Sequence, residues 1–267
     1  SRLYPASSSL SRRSYWRALS NSMEHELWIT ARFNDHLAGV ANAVMNAVGL
    51  HAHNPARPWS NFMVMEIVVI FLMMVVFAVL RTRLSMDRPG EVQQTFELVY
   101  EFLRDQAEEI VGHGGKQFIT FAGTMFLFIL FSNLIGVVPG LESPTMFAPV
   151  PLGCALLTFV YYNVLGFQHQ GVVGYLKHFA GPVWWLAPLF FVIEIISHLA
   201  RPLSLTVRLY ANMFAGEQVL IVFLGLVPII IPVVFMGLHI FVGFVQAYIF
   251  FVLTLIYIGG SVAHEEH

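Results

Sequence analysis

The sequence predicts an all-α integral membrane protein with about five membrane helices, and three observations support this prediction. Hydrophobic residues make up 57% of the 267 residues and charged residues only 11%, which leaves too few polar groups to cover a soluble protein of this size. Apolar segments long enough to cross a bilayer core of about 30 Å recur after residue 60. Polar residues, glycine or proline separate these segments.

The charge balance, the cysteine count and the motifs exclude several functions. The net charge is -2 with histidine neutral, so no basic excess indicates nucleic acid as a partner. The single cysteine, Cys154, cannot form an intrachain disulfide or a cysteine-based metal site. The histidines have no recognisable metal-ligand spacing, and the chain lacks a phosphate loop of the GxxxxGK[ST] type. We therefore expect no metal, no cofactor and no nucleotide site on this chain.

The first 60 residues precede the apolar segments and fall into two parts. Residues 1–22 contain serines and four arginines but no acidic residue, which is the bias of an organellar transit peptide. Met23 is an alternative natural start, and residues 1–22 are then an artefactual or disordered extension, which is the interpretation we favour. Residues 23–60 carry a helical pattern from Glu26 to Leu50 and then a proline-containing break, so we predict a segment on the membrane surface.

Residues 61–263 form the predicted membrane domain, and the arginines orient it. The first span, Phe62 to Leu80, is followed by three arginines, the first of them Arg81, so the positive-inside rule places this end in the cytoplasm. Next, the segment from Glu91 to Val111 has one apolar stripe among charged residues. Such a pattern predicts an amphipathic helix in the cytoplasmic interface.

Two further crossings follow along the chain. Phe118 to Val138 leads outward, and the acidic loop that contains Glu142 therefore lies outside by alternation. Phe147 to Phe167 returns to the cytoplasm. A loop from Gln168 to Gly181, with Lys177 and two histidines, agrees with that side.

The C-terminal part predicts a long helical hairpin. A helix-compatible stretch from Val183 to Leu226 exceeds forty residues and would extend about 65 Å, twice the length of a perpendicular crossing. We therefore expect it to be strongly tilted and to pair with a return helix from Val233 to Ile258. The polar tail, residues 264–267, then lies in the cytoplasm. No internal repeat is visible, which argues against an inverted-repeat transporter.

Only four acidic or basic residues occur in this hairpin: Glu194, Arg201, Arg208 and Glu217. A charge at the bilayer centre costs about 2.5 to 3.5 kcal/mol on insertion scales, so the presence of each of these residues has to be explained. Glu194, Arg201 and Arg208 are spaced by sevens and share one helix face, whereas Glu217 points the opposite way from Arg208. For Arg201, snorkelling or pairing with Glu194 is an equal alternative to a functional role.

The return helix carries a second set of polar residues. His239 and Gln246 are seven residues apart, and Gly243 on the same face allows a close approach. In an antiparallel pair, His239 lies near the level of Glu217 and Gln246 near that of Arg208, because the spacings of about 13 and 10 Å are similar. Alternatively, Gln246 and Asn212 only hold helices together by hydrogen bonds.

The chemistry of these residues separates two roles. A buried carboxylate such as Glu217 and the imidazole of His239 titrate in ranges that allow proton transfer between them. Arg208 cannot take part, because its guanidinium stays protonated in any protein. A fixed positive charge beside a proton route acts as a barrier and as a counter-charge for a deprotonated carboxylate.

The segment from Arg201 to Glu217, RPLSLTVRLYANMFAGE, is similar to the signature of the a subunit of F-type ATP synthases. Supporting stretches run from Asn133 to Gly140 and from Gln246 to Thr254, and the resemblance covers Asn61 to Gly260. It implies that Arg208 faces a ring of c subunits and meets the essential carboxylate of each. It also implies the b subunits of the peripheral stalk and the remaining ATP synthase subunits as partners, with no catalytic site on this chain.

The family has two offset half-channels, one from each side of the membrane. By resemblance, the outer route is lined by Glu217, His239, Asn212 and Gln246, and the inner route by Glu194 and Ser204. Glutamate at 217 with histidine at 239 resembles bacterial members, so we expect the bacterial inner membrane, with the mitochondrial inner membrane as the alternative. One departure concerns Gly136, where many bacterial members carry an acidic residue, so we expect a differently lined outer route.

Two other classes of function explain the residues less well. A channel or secondary transporter that binds an anion at Arg208 lacks the expected repeat. An intramembrane hydrolase using Ser204 with His198 or His239 lacks a recognisable catalytic motif. The sequence does not distinguish H⁺ from Na⁺ as the transported ion, because selectivity depends on the partner ring.

Overall fold

A computed structural model describes residues 26–47, 54–82, 84–85, 90–112, 114–138, 140–179, 187–226 and 230–262. Within these ranges the chain is helical and has no strand. The α-helices are α1 (Trp28–Ala47), α2 (Asn61–Thr82), α3 (Glu91–Val111), α4 (Ile119–Ile135), α5 (Pro149–Phe179), α6 (Ala187–Leu226) and α7 (Ile230–Val262). The predicted extension 1–22 and the predicted tail 264–267 lie outside the described residues.

Five helical segments among the described residues are long and apolar enough to cross a membrane. They are Asn61–Thr82, Gly115–Ile135, Pro149–His169, Leu189–Phe223 and Pro232–Val262. The all-α membrane fold with about five membrane helices is therefore confirmed.

Helix α6 is one continuous α-helix of 40 residues, as its composition predicted. At 1.5 Å per residue it is about 60 Å long, twice the thickness of a bilayer core. Pro202 lies inside it, and a proline in this position removes one backbone hydrogen bond. The hydroxyl of Thr206 donates to the carbonyl oxygen of Pro202 at 2.8 Å, so one polar group of this turn is paired within the helix.

Helix α5 is longer than the sequence predicted. The expected loop from Gln168 was wrong, because the chain stays helical to Phe179 apart from a kink at Gly171, where φ is 72° and ψ is 161°. The positive φ explains the glycine at this position. Apolar residues at 172, 175, 176 and 179 have helical spacing, and they continue the helix beyond the kink.

The chain divides into two compact units, residues 1–64 and residues 65–267. In the first unit, Asn34 on α1 ties the following segment to the helix. Its side-chain amide donates to the carboxylate of Glu26 at 2.8 Å, and its side-chain oxygen accepts from the backbone N–H of Trp59 at 2.9 Å. Arg57 forms an ion pair with Glu26. These contacts fix residues 57–59 against α1.

In the second unit, α4, α5 and α6 all pack against α7, and α5 also packs against α6. The core contains large side chains with almost no exposed surface, among them Phe126, Tyr162, Leu209 and Phe251. In a membrane, such close packing rather than removal of apolar surface from water holds helices together.

Helix α3 has the bounds that the sequence predicted, and it is amphipathic. Leu103 and Ala107 are buried in the core, while the charged residues of this helix point outward. The hydroxyl of Tyr248 on α7 donates to the side-chain oxygen of Gln106 at 2.8 Å, which fixes α3 to α7. Its location in the cytoplasmic interface stays a prediction.

Candidate functional site

Arg208 lies on the exposed face of α6. Leu205, Leu209 and Met213 point into the core, with at most 3% of their surface exposed, whereas Val207 next to Arg208 is 52% exposed. Their spacing of four residues explains why one face packs and the opposite face does not. Among the described residues no carboxylate pairs with Arg208. The guanidinium of Arg208 thus lies on an apolar face without a counter-charge from the described residues.

Glu217 and His239 are both buried, on the side of α6 that faces α7. Gly216 allows His239 to approach α6 closely: a Cβ at this position would lie 2.7 Å from Nδ1 of His239. The imidazole ring therefore rests on the backbone of α6 at Gly216, the residue before Glu217 in the chain. This is the level that the spacing of the two helices predicted.

Two polar atoms of this pair have no hydrogen-bond partner within the described part of the chain, Oε2 of Glu217 and Nε2 of His239. Buried polar atoms almost always have a partner, either protein or water. A hydrated path that reaches both atoms would satisfy them. A carboxylate and an imidazole are both groups that can bind and release a proton.

Gly243 allows α4 to approach α7 closely. A Cβ at Gly243 would lie 3.1 Å from Cβ of Asn133, and the side-chain amide of Asn133 donates to the carbonyl oxygen of Gly243 at 2.9 Å. The close approach expected at Gly243 is thus present. Gln246, one turn further along α7, is buried.

A second polar cluster lies between α5, α6 and α7. Glu194 and Arg201 form an ion pair at 3.7 Å, and the guanidinium of Arg201 lies 5.4 Å from the ring centre of Tyr257. Nε2 of the buried His198 lies 2.8 Å from Oδ1 of Asn163. Because this oxygen can only accept, the imidazole donates here. The structure thus supports pairing with Glu194 as the explanation of Arg201.

The predicted site residues fall into three groups. Ser204, Arg208 and Asn212 share the exposed face of α6, whereas Glu217, His239 and Gln246 are buried. Glu194 is half-buried and paired. The structure therefore places Glu217 and His239 at the same level, and Arg208 lies on the opposite face of α6 from Glu217.

Sequence reasoning missed several polar residues that contact these groups. Thr145 donates from its hydroxyl to Oδ1 of Asn133 at 2.6 Å, and Asn163 binds His198. These partners lie on other helices and loops, so no spacing along α6 or α7 could reveal them. The only sequence signal was the short polar turn after Glu142.

The sequence model of the ATP synthase A chain family matches residues 62–259 of this chain. The chain belongs to this family. The a subunit of Solibacter usitatus ATP synthase is 59% identical over 234 residues, which cover 88% of this chain and all of the relative. That of Koribacter versatilis is 50% identical over 242 residues, or 91% and 99% of the two chains. That of Sulfurihydrogenibium sp. is 40% identical over 204 residues, or 76% and 98%.

These bacterial relatives confirm the resemblance to a subunits of F-type ATP synthases of bacterial type. Together with the five helices that can span a membrane, they identify a multi-pass membrane protein. The family match ends before the last residues of α7 and includes the whole candidate site.

Proposed function

We propose that this chain is the stator a subunit in the membrane sector of a bacterial ATP synthase, where it provides two offset proton half-channels to a rotating c ring. One observation carries the proposal. Arg208 lies on the exposed face of α6, while Glu217 is buried on the opposite face of this helix, at the level of His239 on α7. The fixed charge and the proton-transferring groups are thus separated both across the helix and by about 13 Å along it.

In this proposal, a proton from the outer side reaches Glu217 and His239 and then the carboxylate of a ring subunit, with Asn212 and Gln246 along the route. The neutralised ring site moves into the lipid, and after nearly a full turn it releases its proton to the inner route at Glu194 and Ser204. Arg208 then attracts the ionised ring carboxylate and repels protons. Direct leakage between the half-channels is therefore blocked.

The exposed face of α6 supports the ring as the partner. Leu203, Val207 and Phe214 are exposed on it together with Arg208, at 63%, 52% and 40% of their surfaces. In water such a face would be unfavourable, whereas against a ring of apolar helices it can pack.

The proposal includes three further assignments. The b subunits are further partners, and the location is the bacterial inner membrane. The role of this chain is non-catalytic, without a nucleotide site.

Cysteine cross-linking tests which face of α6 meets the ring. Ala211 is exposed one turn from Arg208, whereas Met213 on the same helix is 1% exposed. We expect Ala211→Cys to form a disulfide with a cysteine placed beside the ring carboxylate in the assembled complex, and Met213→Cys to form none. The native Cys154 is buried and is replaced by serine in both variants. Equal yields from the two positions would contradict the proposed face.

A second test uses the contact between Gly216 and His239. We expect Gly216→Ala to displace the imidazole, because the added Cβ would lie 2.7 Å from Nδ1. Passive proton conduction through the membrane sector should then fall about tenfold, which corresponds to ~1.4 kcal/mol in the barrier. The measurement is proton flux into vesicles stripped of the catalytic sector.

The matched control is Gly225→Ala on the same helix, where no described atom lies within 4 Å of the added Cβ. It should conduct like the wild type. If both variants conduct alike, the position of His239 beside Gly216 has no part in proton transfer.

A further inference from the structure

The loop between α4 and α5 is held in place by buried hydroxyl groups. The hydroxyl of Ser143 donates to the carbonyl oxygen of Ser132 at 2.7 Å, and that of Thr145 donates to Oδ1 of Asn133 at 2.6 Å. Both hydroxyl-bearing residues have at most 1% of their surface exposed. The 3-10 helix that follows, Pro144–Met146, packs against α6. The loop is therefore fixed between the end of α4 and the helix that carries Glu217.

Gly136 makes this loop position possible. A Cβ at Gly136 would lie 2.9 Å from Cβ of Ser143 and 3.0 Å from its backbone nitrogen. Any side chain at 136 would push the loop away, so an acidic residue at 136 is incompatible with this packing. The half-buried Glu142 directly precedes Ser143 in the loop.

The same loop reaches the level of Glu217 through a chain of contacts. Thr145 bonds Asn133, and Asn133 bonds the carbonyl oxygen of Gly243, one turn from His239 on α7. His239 in turn rests against Gly216, the residue before Glu217, and the charge of Glu142 acts on Glu217.

Glu142 is half-buried and Glu217 is buried, so their carboxylates repel each other when both are ionised. Binding of one proton by the pair relieves this repulsion, so uptake of a proton from water is favoured. Oε2 of Glu217 has no partner among the described residues, which leaves this atom able to receive a hydrogen bond. The loop that carries Glu142 lies on the outer side by the alternation of spans.

We propose that Glu142 is the outermost protonatable group of the outer route. Its carboxylate takes protons from the external water and passes them to Glu217. The inference rests on the proposed function and adds a residue to it. In the transfer step the protonated carboxyl of Glu142 gives up its proton, directly or through water, and the carboxylate of Glu217 accepts it. The net charge of the pair does not change. Glu142 then binds the next proton from outside.

The test is passive proton conduction in vesicles that hold the assembled complex, after removal of the catalytic sector. We expect Glu142→Gln to lower the rate about three- to tenfold, because water can replace part of a relay at the mouth of a channel. Glu142→Asp should keep at least about half of the wild-type rate, since it retains a protonatable carboxyl. Equal amounts of assembled complex are verified by recovery of ATP hydrolysis when the catalytic sector is added back.

Glu66→Gln is the matched control. Glu66 is also a half-buried carboxylate of the second unit, residues 65–267. It lines a cavity beside Met73, Phe128 and Cys154. We expect this variant to conduct like the wild type. A decrease in Glu66→Gln equal to that in Glu142→Gln would overturn the assignment, because any loss of a membrane carboxylate would then have the same effect.

The variants also separate this inference from the proposed function. If Glu217→Gln conducts slowly and Glu142→Gln conducts at the wild-type rate, the inference is wrong and the proposed function stands. If Glu217→Gln also conducts at the wild-type rate, the outer route of the proposed function is itself wrong. Equal losses in Glu142→Gln and Glu142→Asp would indicate a structural role of the loop and would likewise overturn the inference.

Discussion

Arg208→Ala is expected to abolish ATP-driven proton pumping and to make the membrane sector leak protons. Without the guanidinium, no fixed positive charge separates the two routes, and a proton can pass from one to the other without ring rotation. The ionised ring carboxylate also loses its counter-charge, so its passage across α6 becomes unfavourable. We expect coupled pumping to fall at least about a hundredfold, that is ~2.7 kcal/mol or more. Pumping is measured by fluorescence quenching in inverted vesicles that contain the assembled complex.

Two variants control this experiment. Arg208→Lys keeps a positive charge that can be lost by deprotonation in an apolar setting, so we expect it to pump poorly as well. Arg104→Ala removes an arginine from the exposed side of α3, where it pairs with the neighbouring Asp105 at 2.9 Å, and it should pump normally. Undiminished pumping in Arg208→Ala would rule out the proposed barrier.

Glu217→Gln is expected to slow passive proton conduction about a hundredfold, because the amide cannot accept and release a proton at this buried position. Its size is nearly that of glutamate, so the packing beside Gly216 and His239 is preserved. The flux is measured from either side in vesicles stripped of the catalytic sector. Coupled pumping should fall in parallel, without the leak expected for Arg208→Ala.

The two largest effects therefore have different signatures. Loss of Arg208 uncouples the flux, whereas loss of Glu217 blocks it. Glu217→Asp shortens the side chain by one methylene but retains the carboxyl, so it should conduct at an intermediate rate. An unchanged rate in Glu217→Gln would remove this residue from the proton path.

The sequence predicted the helices well where apolar periodicity and chain length determine them. Helix α3 has the predicted bounds, and α6 is uninterrupted over the described part of the predicted stretch, because an apolar segment in a membrane must satisfy its backbone by forming a helix. The prediction was wrong at α5, where a loop was expected from Gln168 onward and the chain stays helical to Phe179. A single glycine with positive φ only kinks a helix whose apolar spacing continues.

The candidate site was predictable to the extent that it follows helix geometry. The opposite orientation of Arg208 and Glu217, and the level of His239, follow from the rotation of 100° and the rise of about 1.5 Å per residue. Contacts between elements were not predictable in this way. The hydrogen bond from Thr145 to Asn133 and the approach of Ser143 to Gly136 depend on how a loop folds back onto α4, and no periodicity along one helix encodes that.

The exposed face of α6 has a mechanical consequence for the proposed assembly. A rotor must break and remake every contact with its stator at each step, and directional hydrogen bonds along the way would each be a barrier to movement. Around Arg208 the face consists mainly of aliphatic, aromatic and small side chains such as Leu203, Val207 and Phe214, whose dispersion contacts are weak and non-directional. This surface therefore offers little resistance to rotation of the ring. The electrostatic contact of Arg208 with a ring carboxylate then sets the position at which each step of the rotation stops.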